Sequence, residues 1–143
     1  MRTRQRQIAV ALLPTVLLLS AFACADKWLK AATASDDFAI SLEAFQKGEA
    51  DAHTQGFVDT ATHRAIQTEI GKLALAGQGL NNAIRVGKSA PDAQTAVKAA
   101  LDASQAILDS GITNVKDPAT KQKLQALVVA LRAPLTLIAT LFA

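Results

Sequence analysis

From residue 36 to the end of the chain, apolar residues recur three and four apart, and no segment alternates apolar with polar residues long enough to make a strand. The β-branched residues are scattered among strong helix formers, so the chain reads as all-α. Half of the residues are hydrophobic but only 4% are aromatic and none is Tyr, so the core must be built mainly from Ala, Leu, Val and Ile, which suits closely packed helices. A length of 143 residues is near the usual size of one domain.

Punctuation divides this helical stretch. Ser35 or Asp36 can cap a first helix whose stripe is Phe38, Leu42 and Phe45, continuing less regularly through Ala52, Phe57, Ala61, Ala65, Ile66, Ile70, Leu73, Leu80 and Ile84. An unbroken helix from 36 to 86 would be about 75 Å long and outrun its neighbours, its first half projecting as a stalk. Internal glycines argue instead for a break or kink near Gly48, since each costs about 1 kcal/mol relative to Ala. Gly87 is placed to take a left-handed C-terminal position, and Ser89-Ala90-Pro91-Asp92 then starts a second helix that ends at Ser110-Gly111. Asp117 followed by Pro118 is the strongest start in the chain, and helix-favouring sequence runs from there to the end, with Pro134 as a predicted kink. The expected fold is a small three-helix bundle, or a four-helix bundle if the first long region splits, following an N-terminal signal or anchor segment.

That N-terminal segment carries the chain's charge imbalance. The formal net charge is +3, yet from Cys24 onward nine Lys and three Arg balance all twelve Asp and Glu; the excess is Arg2, Arg4 and Arg6. With no basic cluster in the body, nucleic acid is not an expected partner. The three arginines precede an apolar stretch from Ile8 to Ala23, interrupted by Pro14, Thr15 and Ser20, and this is the grammar of a secretory signal. The residues Ala21-Phe22-Ala23-Cys24 resemble the lipobox of bacterial lipoproteins, in which the cysteine is lipidated and becomes the first residue. Ala23 fits that pattern, whereas Phe22 and Ala21 depart from the small-or-branched and Leu residues usual in the two earlier places. Three outcomes follow: lipidation at Cys24, cleavage near Ala23 or Ala25 without lipid, or retention as an anchor, which the short run and Pro14 disfavour. Cys24 is the sole cysteine, so no internal disulfide can form. The reading of domains is residues 1–23 as signal peptide or anchor, 24–35 as a spacer, and 36–143 as the helical domain. Trp28 would suit a membrane interface.

A second ambiguity lies at the other terminus, where residues 124–143 are nearly continuously apolar and long enough to span a bilayer. Arg132 in the middle would cost about 2.5 to 3.5 kcal/mol on insertion scales, so a buried bundle helix is the expectation and a two-span membrane protein the alternative.

Two histidines are the only residues that invite a mechanism. Glu49 and His53 are spaced i,i+4, as are Asp59 and His63, so each pair would share a helical face and could hold a metal only weakly. On one helix the two pairs would be about 80° and about 15 Å apart, too far for a single mononuclear site, and no metal or other cofactor is expected. The segment Gly71-Lys72-Leu73-Ala74-Leu75-Ala76-Gly77-Gln78-Gly79 lacks the preceding strand and the Gly-Lys-Ser/Thr ending of a phosphate loop and reads as a close helix crossing. No nucleophile signature surrounds either histidine, and no enzyme is expected. Were the first helix to project, Phe38, Leu42 and Phe45 would form a partner-binding stripe; otherwise they belong to the core. The expected function is a non-enzymatic exported protein, lipid-anchored at the cell envelope or periplasmic if not lipidated, that binds or scaffolds a protein partner or itself. The alternatives are a helical carrier of an apolar ligand and the two-span protein.

Overall fold

A computed structural model describes the helical course of residues 4–25 and residues 26–143 in full. The expected signal or anchor segment, its boundary at 23 and Cys24 lie outside the fully described residues. The chain is all-α, with four long helices: α1 (Arg4–Thr54), α2 (Thr60–Asn81), α3 (Ala90–Ala106) and α4 (Pro118–Phe142). A π-turn, Asn82–Gly87, extends α2, and a second, Ile107–Gly111, extends α3 into the short 3-10 turn Ile112–Asn114. Each helix packs against its chain neighbours, and α4 closes the ring against α1, in up-down-up-down order.

The first region therefore splits, but at Gly56 rather than near Gly48. Gly56 takes φ +79°, its N–H bonds to the His53 carbonyl at 2.9 Å, and the Phe57 N–H reaches the Ala52 carbonyl at 3.0 Å. This pair of bonds is a Schellman stop, which glycine enters without the steric penalty a Cβ would bring. Gly48 has a different role: a Cβ there would lie 2.7 Å from Leu127 Cδ1, so its bare backbone lets α1 approach α4. Gly77 does the same for α2, where a Cβ would sit 3.0 Å from Phe38 Cε1, in keeping with the expected close crossing.

The spacer expected at 24–35 is corrected for its described part. Residues 26–35 belong to α1, Ala31 and Ala34 are fully covered, and no helix starts at Ser35 or Asp36. Alanine and serine make a helix face flat enough to lie against the bundle, which a composition-based reading takes for a flexible linker. At the other stop Lys88, not Gly87, holds the left-handed position, with φ 45°. The remaining boundaries match their signals. Ser89 caps α3, with its hydroxyl accepting from the Asp92 N–H, and Asp117 caps α4, accepting from the Thr120 N–H at 2.7 Å, with Pro118 at the first helical position.

α4 is long and apolar enough, with a mean hydropathy of 1.8 over its best window, to cross a membrane. In the bundle it turns Leu124, Val128, Leu131, Leu135 and Ile138 into the core, each worth roughly 2 kcal/mol of burial, and runs through Pro134 without interruption. Arg132 donates to Gln105 Oε1 at 2.6 Å on the flank of α3, which gives its charge a polar partner at the surface.

Candidate functional site

Where α1 reverses into α2, the Gly56 stop and the Asp59 cap fold the first turn of α2 back onto the last turns of α1. Asp59 accepts from the Thr62 N–H at 2.7 Å. This bond from the Thr62 backbone, joined by one from its hydroxyl, holds the Asp59 carboxyl below the ordinary aspartate range. Asp117 is held down in the same way by Thr120.

The reversal assembles a polar cluster from both helices. Glu49, on the inner face of α1, is completely buried. Its Oε1 accepts from His63 Nδ1 at 2.8 Å and its Oε2 from Gln67 Nε2 at 2.8 Å. His53, one turn beyond Glu49, stacks its ring on that of His63, with centroids 4.0 Å apart and planes 5° from parallel. His53 Nδ1 lies 2.9 Å from the Val58 carbonyl oxygen. A carbonyl can only accept, so Nδ1 of His53 carries its proton, and the Glu49 carboxylate fixes the same tautomer on His63. In the neutral form of each ring this leaves Nε2 as an acceptor. Neither has a hydrogen bond within the described residues, and no buried side-chain nitrogen or oxygen there lacks one, so both reach solvent.

The sequence pairing is corrected by this geometry. Glu49 does not meet His53 across one helical turn but His63 across the chain reversal, and Asp59 caps Thr62 instead of meeting His63. The separation of about 15 Å expected for the two pairs on one helix disappears because the helix ends between them. Gln67 escaped sequence analysis, although it follows His63 by one turn and so shares its face. No signal could have marked the Val58 carbonyl.

Chemically the cluster is a closed clasp. The lone pairs of two parallel imidazoles lie in parallel planes and do not converge on one ion, and among the described residues no three His, Cys, Asp or Glu are placed to hold a metal. The buried carboxylate has both oxygens occupied, and its role is to tie α2 to α1.

Phe38, Leu42 and Phe45 are corrected as a partner-binding stripe: all three are buried, because this stretch of α1 lies within the bundle against its neighbours. Solvent-open grooves lie beside them, along Ala39, Glu43 and Gln78, and on α4 along Val129, Ala133 and Leu137. Neither is the enclosed apolar cavity that a carrier would use. At the opposite end of the bundle from the clasp, Trp28 packs on Phe142 with ring centroids 4.7 Å apart, and Arg85 bonds Asp36 at 2.6 Å and 2.7 Å. Compared with known protein families, curated proteins and solved structures, the chain matches none.

Proposed function

We propose that the chain is an exported helical protein, attached to the cell-envelope membrane through a lipid on Cys24, which acts without catalysis by binding or scaffolding a partner. The observation that carries this reading is the order Arg2, Arg4, Arg6, apolar run, Cys24, followed within seven residues by Ala31, the first fully covered position among the fully described residues. Seven helical residues measure about 10 Å, so attachment at Cys24 would hold the bundle close to the bilayer by one end. A neutral body whose helices bury a continuous apolar core accords with a soluble domain on such a tether.

The test is the intact mass of the protein recovered from membranes of an expressing bacterium, beside a Cys24→Ala variant. The reading predicts a chain beginning at Cys24 and carrying acyl groups, lost in the variant. An unmodified start near Cys24 or Asp26 would make this a free exported domain, and a start at Met1 a retained anchor; either would overturn lipid attachment. The length and hydropathy of α4 favour one second reading, a two-span protein using residues 124–143, in which the bundle opens to place α4 in lipid.

A further inference from the structure

Four segments meet at the end of the bundle away from the clasp: the start of the fully described part of α1, the π-turn after α2, the first turn of α3 and the last turn of α4. Arg85 bridges the π-turn to Asp36 and to the Ala32 carbonyl, the Gln94 side chain bonds the Phe142 carbonyl, and the Trp28 ring packs on Phe142. Lys27 lies over the other ring of that pair, its Nζ 4.9 Å from the Phe142 centroid. Two large apolar side chains at this end have no place in the core: Leu29 is 68% exposed and Val86 80% exposed. Val86 adjoins Arg85, which holds the π-turn against the α1 turn next to Leu29.

We propose that this end seats on the phospholipid headgroup layer, with Trp28, Leu29 and Val86 as its contact residues; the proposal rests on the N-terminal attachment proposed above. Lipid is the occupant because of what precedes this end in the chain. The apolar run Ile8 to Ala23 stops just before Asp26, so a chain inserted or lipidated there has residues 26 to 30 within about two helical turns of the bilayer surface. The composition of the end is that of an interface: an indole with an apolar body and a polar N–H, lysines whose stems can lie along apolar surface while their ammonium groups stay in water, and aliphatic side chains aimed outward. Lys30 and Arg85 are paired with Asp26 and Asp36, so contact does not depend on a strong excess of charge and should tolerate zwitterionic lipid.

Trp28 is the only tryptophan, so it reports on this end alone. The full chain is bound to phosphatidylcholine vesicles containing some phosphatidylglycerol, with or without brominated acyl chains, and its emission is compared in the fraction that floats with the vesicles. Seating predicts that brominated lipid removes most of the Trp28 emission. It also predicts that the double variant Leu29→Asp, Val86→Asp still floats but recovers that emission, while Leu75→Asp, an equally exposed site on the side of α2, leaves quenching unchanged. Floating protein whose Trp28 is not quenched overturns the seating and leaves the attachment standing, and emission protected instead in proportion to protein density on the vesicle assigns this end to a second copy. Quenching that the double variant does not relieve overturns the contact role of Leu29 and Val86. Protein that does not float overturns the attachment and the seating together.

Discussion

The two ends of the bundle are closed by different means. At the α1–α2 turn, a buried carboxylate collects two donors, one histidine stacks on another, and Asp59 and Asp117 cap the two helices that start there. At the opposite end the Arg85–Asp36 pair is exposed, the cap is a serine hydroxyl at 3.4 Å, and Leu29 and Val86 point to water. A buried hydrogen-bonded group resists separation because breaking it strands a desolvated charge, whereas an exposed ion pair exchanges its partner for water at little cost. The difference assigns the first end to holding the fold, and the lipid seating proposed above builds on the second.

The largest break in this comparison should come from His63→Ala. It leaves Glu49 buried with Gln67 as its only donor, and a loss of about 3 kcal/mol is expected in urea unfolding. Glu49→Gln, which keeps an acceptor without the charge, should lose less. Next is Gly111→Ala, where a Cβ would collide with Ile66 Cγ1, a buried branch that cannot swing aside; overpacking of this kind costs about 2 kcal/mol. In that background Ile66→Ala should cost less than it does alone, a coupling that a double-mutant cycle measures.

Acid sharpens the contrast. Asp59 and Asp117 have folded-state values below their unfolded ones, so the stability they contribute is complete above the ordinary aspartate range and is lost as pH falls through the folded values, below about pH 4. Amide exchange at low pH should therefore show Thr62 and Thr120 losing protection before Asp92, whose cap, Ser89, does not titrate. Asp59→Asn and Asp117→Asn should keep the caps and flatten that dependence. The smallest effect is expected from Arg85→Ala, which removes an exposed pair and should change stability by no more than about 0.5 kcal/mol.

The sequence carried the helical class, the caps at Ser89 and Asp117-Pro118, and the inward stripe of α4, because each rests on local chemistry or on a period that one helix displays by itself. It misplaced the first reversal because glycine marks both a left-handed turn and a close crossing, and only the position of Leu127 tells Gly48 from Gly56. The spacer expected at 24–35 differs in its described part, residues 26–35, for a similar reason: small residues suit a linker and a flat helix face equally well, and the partner that decides lies elsewhere in the chain. The clasp was half visible. Glu49, His53, Asp59 and His63 stood out as residue types, but their pairing depended on a turn five residues long that converts two distant helical pairs into one cluster.

The most direct test is whether residues 25–143, produced alone, fold in water. The account predicts a protein soluble without detergent, helical, and unfolding in one cooperative transition that His63→Ala shifts to lower urea, because the clasp and the inward face of α4 close the bundle unaided. A product that dissolves and becomes helical only in detergent would place α4 in the bilayer and contradict the four-helix arrangement from which the rest follows.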